Sequence, residues 1–361
     1  MQALARLSLR RAALLARYLI LVIICMPAPE AFAQSDTPPP LRTLSTPLDK
    51  FIGTAVNTSV LAADPKYATL VGDEFSSVTP ENVMKWQLVE PRRGDFSYAA
   101  ADGLVQFASD HGQSVRGHTL VWHNQLPTWL TTGSFSDSEL ADILHAHVTD
   151  EVTHFRGQIY AWDVVNEPFN DDGSWRNSLW FKAIGPDYVA RALTWAHEAD
   201  PDARLYINDY NVESINPKSD ALYALAQDLL VHGVPLQGIG IQGHLSLQSP
   251  FPTTLEQNLQ RFADLGLDVA ITEADVRTPV PVGQADLTKQ AEYFAQMLSA
   301  CVDVDCCVSF TVWGFTDAHS WVPSAFAGQG AATLLDEQLQ PKPAYRALME
   351  ILRSRGSQAA K

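Results

Sequence analysis

Two periodicities alternate along this chain from residue 51 onward. Short runs of apolar and β-branched residues, typical of buried β-strands, are followed by longer stretches in which apolar residues recur every three or four positions, as in amphipathic helices. The runs predict strands at residues 51–56, 77–79, 114–118, 160–165, 204–208, 238–242, 268–272 and 307–312. The periodic stretches predict helices at residues 99–110, 137–155, 188–200, 219–231, 253–265, 287–300 and 343–354.

This alternation predicts an α/β fold, a single (β/α)8 TIM barrel, because eight strand–helix units over about 300 residues suit that architecture. A doubly wound open sheet is the competing architecture. Such sheets usually carry a glycine-rich phosphate-binding loop after their first strand. No such loop follows residues 51–56. We therefore expect one closed barrel in one domain.

Polar residues collect where the predicted strands end. The fourth strand leads into Asn166 and Glu167 and is stopped by Pro168, which has no backbone N–H for a ladder. Taken alone, the Asn-Glu pair could equally cap a helix. Other predicted strands also end in polar or aromatic stretches, at residues 81–86, 118–125, 208–211, 242–244 and 273–275 and at Trp313 with Trp321. Catalytic groups sit at strand ends in such barrels, so the shared position indicates a site.

The amino terminus has the pattern of a signal peptide over residues 1–33. Four arginines precede an apolar run at residues 18–26, and Ala31-Phe32-Ala33 supplies a small-residue cleavage site. An uncleaved signal anchor is the alternative, but the apolar run is short for a bilayer. Residues 34–47 are rich in Pro, Ser and Thr and predict a short extended lead-in. Residues 48–361 then form the barrel domain, and we expect the mature protein to be secreted and extracellular.

The negative net charge of the chain limits the classes of partner that it can bind. The formal net charge of −16 and the sequence pI near 4.9 argue against nucleic acid and anionic membranes. No stretch after residue 33 has the length and hydropathy of a membrane-spanning helix. We expect a monomer in its mature form, with no membrane partner. A neutral substrate is compatible with the acidic balance.

Three cysteines follow the predicted signal peptide. An oxidising exterior favours one disulfide from Cys301 to either Cys306 or Cys307, with one thiol left over. Of these two pairs, we expect Cys301–Cys307. The spacing is not that of a zinc site, so a local staple between a helix end and the next strand is the preferred interpretation.

The strand-end residues support glycosidic bond cleavage. Glu167 and Glu273 follow the fourth and seventh strands, which lie across a barrel from one another. A retaining glycosidase needs two carboxyl groups about 5–5.5 Å apart, one as nucleophile and one as acid and then base. Their environments must differ, because one is ionised while the other is protonated. Donors such as His244 and Lys85 would favour the charged form of Glu273.

Six stretches make residues 48 to about 352 resemble the endo-1,4-β-xylanases of glycoside hydrolase family 10. In the family order they are 79–86 (TPENVMKW), 117–123 (GHTLVWH), 162–167 (WDVVNE), 240–244 (GIQGH), 271–276 (ITEADV) and 311–315 (TVWGF). Residues 321–324 and 334–336 are most similar to fungal members. The resemblance implies a catalytic barrel that acts on xylan and xylo-oligosaccharides and uses no cofactor and no catalytic metal. Val83, Ala274 and Val322 depart from the common pattern, which bears on subsite preference and not on the reaction.

By this resemblance, Glu273 is the nucleophile and Glu167 the general acid/base of a double displacement at internal β-1,4-xylosidic bonds. Asn166 would bond the sugar 2-hydroxyl beside the scissile bond. Gln242 and His244 would hold Glu273, with Asp275 behind His244. The other implied substrate contacts are Asn82, Lys85, His118, Trp122 and Gln125 on the glycone side, Tyr210 and Asn211 on the aglycone side, and Trp313 and Trp321 as a roof.

The tryptophans and histidines also have plainer interpretations. We expect Trp86, Trp122, Trp313 and Trp321 to contact sugar, because flat indole faces suit sugar rings. The other indoles weighed, Trp162, Trp175, Trp180 and Trp195, are expected to pack in the core or rim. His145 and His147 lie two residues apart on a predicted helix and are expected to be solvated. The three imidazoles His118, His123 and His244 could form a zinc site, but no HExxH-type spacing supports it.

Two other functions remain open at this stage. A related barrel could act on β-1,4-glucan, whose sugar adds one hydroxymethyl group, and the wall formed by Trp313 and Trp321 would decide between the two polymers. The chain could also be a catalytically silent sugar-binding barrel. Such proteins usually lose a catalytic carboxylate, whereas Glu167 and Glu273 are both present.

Overall fold

A closed barrel of parallel strands forms the centre of the computed structural model, which describes residues 38–359. The strands are β1 (Phe51–Val56), β2 (Ser77–Pro80), β3 (Ser114–Val121), β4 (Ala161–Asn166), β5 (Arg204–Asp209), β6 (Gly238–Ile241), β7 (His244–Ser246), β8 (Asp268–Pro279), β9 (Cys307–Val312) and β10 (Gln329–Gly330). The barrel order is β8-β6-β5-β4-β3-β2-β1-β9, and pairing of β9 with β8 closes it. The short β7 and β10 pair with β8 outside this path. The predicted (β/α)8 barrel is confirmed.

Helices surround the strands. Over residues 38–359 they are α1 (Leu41–Ser45), α2 (Thr58–Ala63), α3 (Pro65–Glu74), α4 (Trp86–Val89), α5 (Ala99–Asp110), α6 (Thr128–Thr132), α7 (Asp137–His154), α8 (Leu179–Ile184), α9 (Tyr188–Ala199), α10 (Pro217–Val231), α11 (Leu255–Ala263), α12 (Gln284–Asp303), α13 (Val322–Ala325) and α14 (Pro343–Ala359), with 3₁₀ turns at Thr46–Leu48 and Asp317–His319. The seven predicted helices correspond to α5, α7, α9, α10, α11, α12 and α14.

The fourth strand shows why the short apolar runs become barrel strands. Every residue of β4 from Ala161 to Asn166 is buried, because a barrel strand is covered by helices on one face and by the barrel interior on the other. Period-two alternation is therefore weak in the sequence, and the run is nearly continuous in apolar residues. Two strands extend beyond the prediction: β3 runs to Val121 and β8 runs to Pro279.

One glycine is required for a residue of the site. Gly240 of β6 lies against Asn208 of β5, and a Cβ at residue 240 would overlap the Asn208 side-chain oxygen. A side chain at this position would displace Asn208, whose amide contacts the carboxylate of Glu273 in the middle of β8. Gly240 therefore serves the site through close packing.

The predicted extended lead-in is wrong for its described part. Residues 41–48 form α1 and a 3₁₀ turn, and Leu41 is fully buried. The Leu41 amide donates to Glu74 at 3.0 Å, and the Arg42 guanidinium donates to the Gly72 carbonyl at 2.8 Å. Apolar burial at Leu41 outweighs the local bias of the surrounding Pro, Ser and Thr. The barrel domain thus begins near residue 41 and not at 48.

The predicted signal peptide at residues 1–33 lies outside the described residues, as do residues 34–37 of the lead-in. Between residues 38 and 359, no helix is both long and apolar enough to cross a bilayer. The predicted disulfide is confirmed, because Cys301 is bonded to Cys307. Cys306 carries the exposed free thiol. The bridge joins α12 to the start of β9, the helix-to-strand staple that the spacing predicted.

One histidine prediction is wrong. His147 on α7 is buried, and its Nε2 lies 3.0 Å from the Leu120 carbonyl oxygen. Its ring stacks on Trp86 with centroids 3.6 Å apart. Burial lowers the pKa of His147 to about 3, so this imidazole is neutral. His145 is exposed, as predicted.

Candidate active site

The carboxyl ends of the barrel strands surround a cleft of about 490 Å³. The cleft contains both predicted catalytic carboxylates and all but one of the predicted substrate contacts. Those lining it are Asn82, Lys85, His118, Trp122, Gln125, Asn166, Glu167, Tyr210, Asn211, Gln242, His244, Glu273, Trp313 and Trp321. The prediction that these residues share one end of the barrel therefore agrees with the structure.

Trp86 is the exception. Only 2% of this residue is exposed, and it does not line the cleft. Its ring lies between His147 and Trp180, and its Nε1 donates to Glu90 at 2.9 Å. The prediction that Trp86 contacts sugar is wrong, because the short α4 that begins at this residue places its indole in the core.

Three side chains of the cleft stand on left-handed backbone. Gln125, Glu167 and Asn211 have φ angles of 47°, 58° and 54°. Non-glycine residues pay a steric cost in this region, of order 1 kcal/mol or more, and keep it only where surrounding contacts fix them. All three lie just beyond the ends of β3, β4 and β5, where the chain turns sharply away from the barrel. The turn at Glu167 projects its carboxyl group into the cleft.

Glu273 is buried in the floor of the cleft and held by short contacts. Asn208 Nδ2 donates to Glu273 Oε1 at 2.7 Å, and His244 Nε2 lies 3.2 Å from Oε2. Burial by itself raises the pKa of this carboxyl group, but the His118 charge and the His244 hydrogen bond outweigh it and hold the pKa of Glu273 below 4.5. Glu273 is therefore an ionised carboxylate at neutral pH.

His244 bridges two carboxylates. Its Nδ1 lies 2.9 Å from Asp275 Oδ2, on the opposite side of the ring from Glu273. Burial disfavours the charged ring, but Asp275 and Glu273 together raise the pKa of His244 to about 10. The imidazole is thus a cation that donates to both carboxylates. Trp321 Nε1 also donates to Asp275 at 2.8 Å, which ties the roof of the cleft to the same group.

Glu167 has looser surroundings. The Gln242 amide lies 3.4 Å from Glu167 Oε1, the Asn166 amide 3.5 Å, and His123 Nδ1 stands 3.7 Å from Oε2. Burial and the positive charges of Arg176 and Lys218 lower the pKa of His123 to about 4, so this ring is neutral at neutral pH. The backbone of Glu167 is better fixed than its carboxyl group, because its N–H donates to the Asn208 carbonyl at 2.8 Å.

Asn208 and Gln242 join the two carboxylates. Asn208 accepts from the backbone of Glu167 and donates to the side chain of Glu273. Gln242 donates toward the Glu167 carboxyl group, and its carbonyl accepts from the Glu273 backbone at 2.8 Å. The side-chain amide of Asn166 lies between the other two: Asn208 Nδ2 is 2.9 Å from its oxygen, and Gln242 Nε2 is 3.3 Å from the same oxygen. Both acids therefore belong to one hydrogen-bonded unit.

His118 is oriented from below by Asp163, a residue that the sequence analysis missed. Asp163 Oδ2 lies 3.0 Å from His118 Nδ1, and the Asp163 carboxylate also pairs with the buried Arg116. Burial opposes ionisation of Asp163, but Arg116 and His118 lower its pKa below 3.8. Asp163 directly follows Trp162 within the stretch 162–167 that was already identified.

Lys85 lies on the glycone side of the cleft. Its Nζ donates to Asn82 Oδ1 at 3.3 Å and stands 5.0 Å from the Trp122 ring. Burial lowers the pKa of Lys85, and the charges of the surrounding carboxylates Glu273, Glu81 and Glu167 oppose the shift. Gln125 Nε2 donates to the same Asn82 oxygen at 3.2 Å. This group can offer N–H donors to neutral hydroxyls.

Tyr210 lies on the opposite side. Arg176 donates to the Tyr210 hydroxyl at 3.0 Å and to the Glu167 carbonyl at 2.9 Å. Lys218 packs over the Tyr210 ring, 3.3 Å from its centroid, and pairs with Asp209 at 2.9 Å. The ring is thus fixed at the cleft wall by two cations.

The structure also places in the cleft residues that the sequence analysis did not name as contacts: Glu81, Asn124, Arg277 and Phe326. Glu81 appeared in the sequence only as part of the polar stretch at residues 81–86. Arg277 could have been found from period two, since residues 273, 275 and 277 share one face if the seventh strand continues. Asn208 was recognised only as part of a polar strand end. Its role needed the distance to Glu273, 65 residues away.

The three histidines considered for zinc face other partners. His118 faces Asp163, His244 faces Asp275 and Glu273, and His123 stands nearest to Glu167. Within residues 38–359, no group of three or more metal-binding side chains has a geometry that would hold an ion.

Comparison with known proteins gives one consistent result. The family model described as "Glycosyl hydrolase family 10" matches residues 41–351. An endo-1,4-beta-xylanase of Agaricus bisporus is 43% identical over 336 residues, which cover 92% of this chain and 98% of that protein. An endo-1,4-beta-xylanase B of Thermotoga neapolitana is also 43% identical and covers 92% of this chain and 96% of its own length. Fungal members are thus among the relatives, as expected, beside an equally similar bacterial one.

A solved structure agrees with the sequence relatives. Xylanase 10B of Thermotoga petrophila in complex with xylobiose superposes with a TM-score of 0.86 at 42% identity. The match covers 89% of this chain and 99% of that one. The match at 41 also agrees with the earlier start of the barrel domain given by α1.

Proposed function

The chain belongs to glycosyl hydrolase family 10, and we propose that it is an endo-1,4-β-xylanase that cleaves internal β-1,4-xylosidic bonds with retention of configuration. The observation that carries the mechanism is the different treatment of two carboxyl groups in one cleft. Glu273 is kept ionised by Asn208, His244 and His118, whereas Glu167 has only longer contacts. Two carboxyl groups with opposed environments are the requirement for a nucleophile and an acid/base.

In the first step, Glu273 is the nucleophile. A carboxylate oxygen bonds to the anomeric carbon, the bond from that carbon to the glycosidic oxygen breaks, and Glu167 gives its proton to the leaving oxygen. The His244 cation then loses part of its attraction to Glu273, because the glycosyl ester carries no charge. Asn208, which donates to Glu273 Oε1 at 2.7 Å in the free protein, orients that oxygen for the attack.

In the second step, Glu167 acts as a base. Its carboxylate takes a proton from water, the water oxygen bonds to the anomeric carbon, and the bond to Glu273 breaks. The sum of the two steps adds one water across the glycosidic bond with net retention. Because the pKa of His123 is lowered to about 4, its neutral ring adds no positive charge beside the Glu167 carboxyl group.

Sugar binding follows from the walls of the cleft. The indoles of Trp122, Trp313 and Trp321 supply flat apolar faces, and Asn82, Lys85 and Gln125 supply donors for hydroxyls on the glycone side. Tyr210 and Asn211 serve the aglycone side. Asn166, next to Glu167, would bond the 2-hydroxyl beside the scissile bond. We assign no cofactor and no metal to this reaction.

The first experiment is product analysis on glucuronoxylan with wild type and Glu273→Gln. Wild type should release short β-1,4-xylo-oligosaccharides whose new reducing end is initially the β-anomer by proton NMR. The Glu273→Gln variant should release none, because an amide is a poor nucleophile. Initial α-anomer would mean inversion, and activity in the variant would remove Glu273 from its role. Absence of cleavage by either protein would favour a silent sugar-binding barrel.

The competing β-1,4-glucanase is tested with the same enzyme on carboxymethylcellulose. The wall of Trp313 and Trp321 must exclude the extra hydroxymethyl group of a hexose for xylan to be preferred. A preference for xylan below about tenfold would favour the glucanase, since one such group typically changes kcat/KM by at least that factor.

We propose that the protein is secreted as a monomer after cleavage behind Ala33. Amino-terminal sequencing of the extracellular protein should begin at Gln34, and light scattering should give the mass of one chain. Retention of the first 33 residues would instead indicate a signal anchor.

A further inference from the structure

One cation in the cleft lacks a counter-ion. Arg277 of β8 lines the same cleft as Glu167 and Glu273 and is partly exposed there. Across residues 38–359, no ion pair within 4.0 Å and no side-chain hydrogen bond involves its guanidinium. Its Nε is buried without a hydrogen-bond partner. The guanidinium is therefore not engaged by a protein acceptor in the described part of the chain, and its N–H donors are available to a ligand in the cleft.

The strand places this guanidinium at a defined distance from the reaction. Residues 273, 275 and 277 share one face of β8, and four residues of strand span roughly 13 Å. Asp275, the carboxylate between them, is already engaged by His244 and Trp321. Arg277 therefore lies along the cleft beyond the nucleophile and not at the cleavage point.

Aromatic packing holds Arg277 in place. Its Cζ lies 4.1 Å from the centre of the Phe326 ring, and Phe326 packs edge-on against Trp321. Trp321 in turn packs against His244. A guanidinium stacked on a ring loses less conformational freedom on binding than a free side chain does, and its planar set of N–H donors remains available.

The other cations lining the cleft are in a different situation: His244 lies between Asp275 and Glu273, and Lys85 also has carboxylates around it. Lys85 is almost fully buried, donates to Asn82, and has the charges of Glu273, Glu81 and Glu167 around it. Its charge is balanced within the protein. The charge of Arg277 is balanced by nothing comparable, although the chain as a whole carries a net charge of −16.

We propose that Arg277 binds the carboxylate of a uronic acid branch on the xylan chain, so that the enzyme prefers acidic, glucuronate-bearing xylan. This inference rests on the proposed xylanase function. The xylose backbone is neutral, so a uronate branch is the part of such a polymer that carries a carboxylate. Guanidinium and carboxylate are geometrically matched for two parallel hydrogen bonds, and such bonds are stronger than those to neutral hydroxyls.

The test compares three substrates: a linear neutral xylo-oligosaccharide, the same backbone with one glucuronate branch, and the branched compound after reduction of its carboxyl group to an alcohol. The measured quantity is the ratio of kcat/KM for the acidic over the reduced substrate. In Arg277→Met this ratio should fall by roughly twofold to fivefold, as expected for a partly exposed charge pair. Arg277→Lys should keep part of the preference. Arg353→Met, which removes one exposed arginine from α14, should leave the ratio unchanged.

The linear substrate separates this inference from the proposed function. Suppose that wild type and Arg277→Met cleave the linear substrate equally and also have the same ratio of kcat/KM for the acidic over the reduced substrate. Arg277 then does not bind the carboxylate, and the inference is overturned. If wild type cleaves none of the three, the proposed function fails instead. Inhibition by free glucuronate distinguishes a site for the branch from a site for any anion. If free glucuronate inhibits at concentrations as low as the KM of the branched substrate, the branch is not recognised as part of the xylan chain, and the inference is contradicted.

Discussion

The two carboxylates of the cleft are held in opposite ways. Glu273 accepts from Asn208 at 2.7 Å and faces His244 at 3.2 Å, whereas the neighbours of Glu167 stand at 3.4, 3.5 and 3.7 Å. The Glu273 side chain is 6% exposed and that of Glu167 is 12% exposed. One carboxylate is fixed in charge and position, and the other is fixed only through its backbone.

This difference corresponds to two kinds of chemical work. A nucleophile must stay ionised and point at one atom, so short donors and a neighbouring imidazolium serve it. A group that gives a proton and then takes one back must not be bound tightly in either state. The sharp left-handed turn at Glu167 adds positional control without adding donors to its carboxyl group.

The largest effect is expected from Glu273→Gln, which removes the negative charge that Asn208 and His244 stabilise. We expect kcat/KM on xylan to fall by about 10⁴-fold or more, as for loss of a covalent nucleophile in other enzymes. Initial rates of reducing-sugar release give the value. A thermal unfolding midpoint close to that of wild type is the control, and a loss below about tenfold would show that Glu273 is not the nucleophile.

Glu167→Ala should depend on the leaving group. On xylan we expect a fall of about 10²- to 10⁴-fold, the range of general acid catalysis, because the departing sugar oxygen needs a proton. An aryl xylobioside with an acidic phenol needs no proton and should form the glycosyl-enzyme at a nearly normal rate. Stopped-flow release of phenol measures that step, and azide should then speed turnover and yield a β-glycosyl azide. Equal losses on both substrates would argue against the acid/base assignment.

His244→Gln tests the support of the nucleophile rather than the nucleophile itself. The variant keeps a donor of similar reach but removes the cation between Glu273 and Asp275. We expect kcat/KM to fall by about tenfold to hundredfold, the equivalent of one charge-assisted hydrogen bond. His145→Gln on the exposed face of α7 is the matched control. An unchanged rate would mean that Asn208 alone suffices to hold Glu273.

The smallest effect is a pH dependence of stability. The pKa of His244 is raised from 6.5 to about 10, so its contribution is complete below pH 6.5 and is lost as the pH rises to about 10. The pKa of Glu273 is lowered, so its contribution is present above pH 4.5 and is lost as the pH falls. The melting temperature of wild type minus that of His244→Gln should therefore decrease between pH 6.5 and 10, by ~2–4 °C for each kcal/mol. Calorimetry at 0.5-unit intervals measures it, and a flat difference would contradict the bridge.

Much of the fold could be predicted from the sequence, since local periodicity and burial act within a few residues. The fourth strand and the helix at residues 137–155 each appear in the structure at nearly the predicted bounds. The predicted end of a strand was wrong where the strand continues beyond its run of apolar residues. Residues 273–279 continue β8 with acidic and basic side chains, because pairing with β7 and β10 satisfies their backbone. That extension carries both Asp275 and Arg277.

Several residues were misjudged because their environment is built by distant parts of the chain. From their neighbours in sequence, His147 was expected on the surface and Trp86 in the cleft. Both are buried in the core, where their rings stack on one another. The segment at residues 41–48 looked like an extended lead-in, but α1 is held by Glu74 and Gly72. In each case a tertiary contact outweighed the local composition.

The amino-acid sequence alone was enough to predict the eight barrel strands, seven of the helices, the end of the barrel that carries polar side chains, and the resemblance to a family. These follow from hydrophobic periodicity and from motifs, both of which are local. Four features depend on the tertiary structure: Asn208 meets Glu273, His244 bridges two carboxylates, Cys307 rather than Cys306 pairs with Cys301, and no carboxylate within residues 38–359 pairs with Arg277. Contacts between residues far apart in the chain depend on barrel closure and side-chain packing, and no local pattern encodes those distances.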